Sequence, residues 1–389
     1  MDVEGLKSTW AQVAKAGGEV PHFFYSHLFL SHPETRELFP VSMASQRDKL
    51  VGALGRIVSQ VDRLDEVTPF IQQLGRDHRR FGTLGDHYPA VGASLLATLQ
   101  HFLGPAWTQE VAADWAAAYG VIATVMIQAA EEAEETTPAA WQAEVLEVER
   151  RTMDIAVVQL RPDQDFEYRP GQSFSMEIPQ RKRLWRYYSP ANAPRADGTL
   201  ELHVQLVAGG PVSTSILRAL RAGDTVRMGS PVGDQLTLPD GDRPDLLLIA
   251  GGTGLAPLRA VLEQVAAERR DTGRGPQVHL FHGARLPWNL YERPLLSELA
   301  REPWFTYTEV VSEDPSFPGE RGMVGSVAAR RGPWEGRTAL VCGSDPMVRH
   351  CVEQLTGAGM PAEDVHYEKF TTVMSGPTGD HPREASVAP

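Results

Sequence analysis

The residues able to do chemistry fall into three groups along this 389-residue chain. The first is a set of polar side chains on stripes that are otherwise apolar. His78 shares the face defined by Ile71, Leu74 and Phe81, Gln46 lies one turn before Leu50, and Tyr25 comes four residues before Phe29. A core stripe is apolar by default, so a polar member is either satisfied locally or faces something polar. Each of the three, taken singly, reads as an ordinary satisfied core group. Together, a histidine on one wall and a tyrosine and a glutamine on others describe a pocket with a polar guest. The second group is Gly251–Gly252–Thr253–Gly254, which follows the apolar run Leu246 to Ala250 and opens a helical stretch. Glycines let the backbone approach a pyrophosphate, and a helix N-terminus adds partial positive charge, so this context reads as a phosphate-binding turn. The third is Arg186–Tyr187–Tyr188–Ser189, an Arg-x-Tyr-Ser motif at the end of a strand-like run.

Three segments with different periods must position these groups. Residues 1–138 read as all helix, with stripes through Leu50, Ala53, Leu54, Ile57, Val58 and Val61 and through Val121, Ile122, Val125, Met126 and Ala129. Prolines 33, 40, 69, 89 and 105 suit helix starts and turns. Residues 139–241 switch to a two-residue period. Leu200, Leu202, Val204 and Leu206 alternate with Glu201, His203 and Gln205, the pattern of a half-buried strand in an antiparallel barrel. Residues 242–375 alternate buried strands (Leu246 to Ala250, Val278 to Phe281, Leu340 to Val341) with a helix expected over Pro257 to Arg269, the β–α–β order of a doubly wound parallel sheet. The predicted fold class is therefore multidomain: all-α, then antiparallel β-barrel, then α/β. The stretch 376–389, rich in Pro, Gly and polar residues, is expected to be disordered.

Composition narrows the function. A formal net charge of −13 opposes binding to nucleic acid or anionic lipid, and the short arginine runs are broken by apolar or acidic residues. Two cysteines, Cys342 and Cys351, exclude a disulfide framework. The acidic N-terminus has no signal-peptide core, and no uninterrupted apolar run reaches membrane-spanning length. A soluble, cytoplasmic protein, acting as a monomer on small molecules, is expected.

Residues 1–138 resemble the globin domain of bacterial flavohaemoglobins, chiefly through the run FFYSHLFLSHPETRELF and through RDHRRFG. The resemblance implies haem b bound with His78 as the iron ligand, Tyr25 and Gln46 on the opposite, gas-binding side, and Phe39 as the corner residue that wedges the haem. Tyr88 and Glu132 match residues that hydrogen-bond the second nitrogen of the ligand histidine or pack beside it. A carboxylate there makes the imidazole more electron-donating, which favours oxygen chemistry over carriage. Asp77 departs from the family, in which lysine is frequent at this position.

Tyr168–Arg169–Pro170–Gly171–Gln172, then Arg186 to Ser189, then Gly209 to Ser213 resemble, in order and spacing, the flavin barrel of the ferredoxin-reductase superfamily. This implies FAD, with Arg186 on the pyrophosphate, Tyr188 against the isoalloxazine, Ser189 near its redox-active nitrogen, and Gly210 and Ser213 allowing close backbone approach to phosphate. Ser173 replaces a frequent aromatic. The same superfamily's nucleotide domain is matched by Gly251, Gly252, Thr253 and Gly254, by Cys342 to Met347, and by Tyr367 to Phe370. Cys342 and Glu368 are then expected near the nicotinamide, and Phe370 is expected to shield the flavin. Cys342 reads equally well as a small buried hydrophobe at a strand end, and Ser344 stands where relatives have proline.

The resemblance implies a nitric oxide dioxygenase, in which electrons pass from NAD(P)H through FAD to haem, and NO and O2 become nitrate. Two alternatives stay open: a haem–flavin reductase acting on peroxides or quinones, and a globin that senses gas or redox state.

Overall fold

The computed structural model describes residues 2–241 and 243–370, with the side chains of all but Ser45, Leu64, Lys369 and Phe370. Its contacts divide the chain into two compact units, one spanning Met1–Ala140 and the other running from Trp141 onward. The sequence-based segment 376–389 and the final residues of the third segment lie outside the described residues.

The first unit is built from α1 (Val3–Ala14), α2 (Glu19–Ser31), α3 (Ala44–Ser59), α4 (Leu64–His78), α5 (Tyr88–Leu103) and α6 (Gln109–Glu134). Local chemistry sets several of their ends. Thr108 caps α6 by accepting the Val111 N–H at 3.2 Å, and Pro89 sits in the first turn of α5, where its missing N–H costs nothing. Pro69 departs from the expected pattern, for it lies inside α4. It is exposed and close enough to the start that only one early helical bond is forgone. The larger core joins Leu6, Trp10, Phe24, Leu28, Leu99 and Trp115. A smaller cluster of Ile57, Val67, Ile71 and Met126, with Leu74 and Tyr88 against it, underlies the end of α4. Val121, expected on the α6 stripe, is 50% exposed; the buried face runs through Ala123, Met126 and Ala129. By length and composition α6 could cross a membrane, but its apolar face is used within this unit.

In the second unit, β1 (Trp141–Arg150), β2 (Ile155–Pro162), β3 (Ser173–Glu177), β4 (Arg186–Tyr188), β5 (Leu200–Gln205) and β6 (Thr225–Val232) form an antiparallel sheet in the order β4-β3-β6-β1-β2-β5, with α7 (Pro211–Arg218) between β5 and β6. A bridge between Pro190 and Leu202 brings the end of β4 to β5 and closes the barrel. The expectation of a half-buried β5 needs correction, because Leu200 to Val204 are all buried. Leu200, Leu202 and Val204 fill the barrel, while Glu201 and His203 on the other face are covered by the sheet that follows.

That sheet contains β7 (Asp245–Gly251), β8 (Val278–Ala284), β9 (Phe305–Val311), β10 (Glu320–Arg321), β11 (Arg337–Ser344) and β12 (Val365–Phe370) in the parallel order β10-β9-β8-β7-β11-β12. Helices α8 (Leu255–Thr272), α9 (Arg293–Leu299), α10 (Val324–Arg330) and α11 (Asp345–Gly357) alternate with the strands. Strand order reverses at β7, so its carboxyl end opens the crevice in which such sheets bind nucleotides.

Candidate functional site

In the helical unit, α4 is held along α6 while α3 packs on α1 and α2, so His78 and Gln46 stand on separately supported walls. Nδ1 of His78 lies 2.6 Å from the Leu74 carbonyl one turn back. A carbonyl only accepts, so Nδ1 carries the proton and Nε2 presents its lone pair. Burial holds the imidazole below its usual pKa, which keeps it neutral. The Phe81 ring stands edge-on to it, with centroids 6.1 Å apart.

Tyr25 is 4% exposed, and its hydroxyl donates to the Gln46 backbone carbonyl at 3.4 Å. Burial raises its pKa, opposed in part by the contact with Gln46, so the hydroxyl remains a donor at every physiological pH. Phe39 meets Tyr25 at 5.4 Å and Phe29 at 5.4 Å, both edge to face, forming an aromatic corner over this end of the pocket. Tyr88 opens α5 and packs on the cluster beneath His78.

Glu132 does not join this group. It is exposed on α6, and the second nitrogen of His78 is taken by the Leu74 carbonyl, so the expected carboxylate partner is replaced by a backbone oxygen. Asp77, the departure next to the histidine, accepts from Arg80 at 2.7 Å and from Gln73 at 3.2 Å. Its charge is therefore compensated within α4 and the turn that follows.

These residues fit a haem. Among the described residues, no three His, Cys, Asp or Glu side chains converge to cage a bare ion. A macrocycle that brings its own four nitrogens needs only one neutral, buried imidazole, and His78, held by the Leu74 carbonyl beside the Phe81 ring, provides that.

On the barrel, Arg186, Tyr188 and Ser189 follow one another along β4 and its end. Tyr188 packs on the barrel core, and Ser189 is buried. Burial lowers the Arg186 pKa, and its guanidinium donates to the Trp185 carbonyl at 2.8 Å. The helix expected from Ser215 begins at Pro211, with Gly210 before it. Ser213 is committed to that turn: its hydroxyl accepts the Val207 N–H at 3.1 Å and donates to the Gly210 carbonyl at 3.3 Å. Its side chain thus holds the loop and leaves the backbone N–H groups at the start of α7 to the role expected of this turn.

At the carboxyl end of β7, Gly251 closes the strand, Gly252 to Gly254 form a tight turn, and α8 starts at Leu255, two residues earlier than expected. A Cβ on Gly254 would stand 2.2 Å from the Cys342 carbonyl, and one on Gly251 would stand 3.1 Å from the Met347 sulfur. The turn therefore packs against the Cys342–Met347 block, joining two motifs about ninety residues apart in sequence. Cys342 pairs in register with Ala250 on one side and Glu368 on the other. It is fully buried, and burial together with Glu368 raises its pKa well above the usual thiol value. Cys342 is thus a neutral, buried thiol at the floor of the crevice. Glu368 is 7% exposed, and its Oε1 lacks a partner among the described residues. Burial, aided by Asp234, pushes its pKa up to about 7. Thr253 lies in the turn itself. Phe370 ends β12, and its side chain lies outside those described.

The sequence reading missed a buried ionic group behind this crevice: Glu201, His203, Arg259 and Glu292, each at most 7% exposed. The alternation along β5 placed Glu201 and His203 on the outer face of the barrel, and nothing local signalled that a second layer covers that face. A polar alternate face followed by a βαβ segment is the one clue the sequence held.

Residues 22–126 match the globin family, 142–236 the oxidoreductase FAD-binding domain and 248–353 the oxidoreductase NAD-binding domain. A flavohemoprotein of Bordetella parapertussis is 30% identical over 306 residues, covering 73% of this chain and 74% of that protein. A flavohemoprotein of Bacillus subtilis is 26% identical over 401 residues, covering 96% and 97%. The crystal structure of flavohemoglobin from Malassezia yamatoensis, with bound FAD and heme, superposes with a TM-score of 0.76 at 18% identity over 95% of this chain and 98% of that one, which bears on the fold. With a globin, an FAD barrel and an NAD sheet in that order and relatives along nearly its whole length, the chain belongs to the flavohaemoprotein family of NAD(P)H-dependent flavohaem oxidoreductases.

Proposed function

We propose that this chain is a nitric oxide dioxygenase: two NO and two O2 take the two electrons of one NAD(P)H and yield two nitrate, NAD(P)+ and a proton. When bound, haem supplies an iron that holds dioxygen, and FAD accepts a hydride and releases electrons singly. The chain's own residues do the rest. His78 would hold the iron through Nε2, and the Leu74 carbonyl fixes its tautomer and plane. Tyr25 carries one hydroxyl proton in a buried position; turned away from the Gln46 carbonyl that accepts it here, it would donate to a partly anionic oxygen, a bond that the low dielectric strengthens. Phe39 would keep water from the corner. In the second unit, Arg186 neutralises pyrophosphate, Tyr188 and Ser189 bound the flavin ring, and the turn Gly251 to Gly254 receives the nucleotide phosphates.

The observation that carries this reading is the buried Tyr25 hydroxyl on one wall with the neutral, Nδ1-protonated His78 on another. The test is anaerobic reduction of the haem- and FAD-loaded protein by NADH, followed by oxygen and then nitric oxide. Stoichiometric nitrate is expected, with Tyr25→Phe slowing NO consumption at least about tenfold through loss of a hydrogen bond made to developing charge. An oxygenated protein that ignores nitric oxide overturns the reading.

One observation favours a second reading. A neutral carbonyl behind His78, in place of Glu132, makes the imidazole a weaker electron donor. That suits a haem–flavin reductase with another acceptor, which faster NADH turnover with peroxides or quinones than with NO would reveal.

A further inference from the structure

The outer face of β5 is a polar seam between the flavin barrel and the nucleotide sheet. Glu201 accepts from Arg259 of α8 and, through Oε1, from His203 at 3.1 Å. His203 Nε2 also lies 3.2 Å from the Arg259 guanidinium, and Nδ1 is hydrogen-bonded to the Tyr291 hydroxyl at 2.7 Å. The Tyr291 ring stands edge-on to His203 at 5.1 Å and to His282 at 5.9 Å. His282, fully buried at the end of β8, donates from Nε2 to the Gly252 carbonyl at 3.3 Å. A Cβ on Gly252 would stand 3.2 Å from Gln205 Oε1, two residues along β5 from His203. Glu292, beside Tyr291, lies 3.8 Å from Arg259 and 3.4 Å from Arg151 of the loop after β1. The seam thus runs from the barrel wall through Tyr291 and His282 to the phosphate-binding turn and touches that turn from two sides.

We propose that Tyr291, held by His203 and the Glu201–Arg259–Glu292 group, is a positioning residue for hydride transfer: it fixes the phosphate-binding turn relative to the barrel and so sets the approach of nicotinamide to flavin. Several observations support this role over simple adhesion. The side chains on the seam are polar where apolar packing would hold two layers together at lower desolvation cost. They are also directional as far as the Tyr291 hydroxyl, whose ring then meets His282 edge-on. Small displacements of a hydride donor are costly in rate, whereas the same displacement scarcely alters the area buried. The inference rests on the transfer from NAD(P)H to flavin and is independent of what the haem later reduces or oxidises.

The test uses the full-length, haem- and FAD-loaded protein, with flavin reduction by NADH followed anaerobically by stopped flow. Tyr291→Phe removes one oxygen and leaves the ring packing. It is expected to slow flavin reduction at saturating NADH about tenfold, to leave NADH affinity within about twofold, and to raise the isotope effect with NADH deuterated at the transferred hydrogen. FAD content and Tm should match the parent. His203→Leu combined with Tyr291→Phe should cost little more than either alone, because one linkage is broken in each case. A Tyr291→Phe protein with parental reduction rate per bound FAD overturns the proposal. So does one whose loss of rate merely follows a loss of FAD or of Tm. Should His203→Leu fail to fold, Tyr291→Phe alone decides the question.

Discussion

At the scale of single residues, the crevice floor is set by two neighbours in register, Cys342 and Glu368. Both are buried, and their opposite chemistry follows from that. The thiol is pushed so high that it stays protonated, whereas the carboxyl is pushed up to about 7, where it changes charge near neutral pH. Hydride departure leaves the nicotinamide ring cationic, so an ionised Glu368 at the proposed nicotinamide site would stabilise the product side of the step. Flavin reduction at saturating NADH should therefore rise severalfold with pH through about 7, and Glu368→Gln should flatten that profile at its low-pH level. Stopped-flow rates for parent and variant between pH 6 and 8 check this, and a variant that keeps the parental slope removes Glu368 from the site. The types and order of these residues were legible in the sequence; their protonation states were not, because they depend on burial that only the assembled sheet creates. The same limit applies to Glu132. Its place in an acidic run could be read, but its outward direction could not, nor could the Leu74 carbonyl that takes its expected partner.

At the scale of elements, two close backbone approaches do the positioning. Gly254 lets α8 and its preceding turn rest on the end of β11, and Gly75 lets α4 lie against α6, where a Cβ would stand 2.2 Å from the Met126 carbonyl. Because α4 ends in His78, the second approach fixes the height of that imidazole, the proposed iron ligand. Gly75→Ala should push α4 outward, cost about 2–3 kcal/mol by overpacking, and weaken haem retention. FAD content and NADH-driven flavin reduction should be unchanged, since Gly75 belongs to the other compact unit. Haem titration of the apoprotein alongside flavin absorbance measures both, and a parental haem affinity would show that α4 tolerates the methyl group. The period changes along the chain announced helices, barrel and parallel sheet from local signals. What they could not announce was that barrel and sheet form one compact unit, because Glu201 and His203 read as the polar face of a strand and their partner Arg259 carried no local signal.

For the whole molecule, that junction carries a consequence for stability against pH. Burial depresses His282 from the usual 6.5 to about 4 and lowers His203 and His279 as well. Unfolded histidines take up protons below 6.5 that the folded ones refuse, so these groups make stability fall as pH drops from 6.5 towards 4. For His282 alone the loss between pH 7 and pH 5 is about 2 kcal/mol. Glu368 acts in the opposite sense. Its folded pKa of about 7 exceeds the unfolded 4.5, so the fold gains protons first as pH drops through 7, and stability rises by about 2 kcal/mol over the same interval. In the parent protein the Glu368 contribution offsets that of His282, while His279, also depressed to about 4, and His203 leave a net loss of stability towards acid. Glu368→Gln removes the compensation. Its urea midpoint should drop between pH 7 and pH 5 by an amount worth about 2 kcal/mol more than the parent's. A variant whose midpoint tracks the parent across that range would mean that Glu368 does not titrate with a raised pKa inside the folded second unit, and that the crevice is more open to water than its geometry indicates.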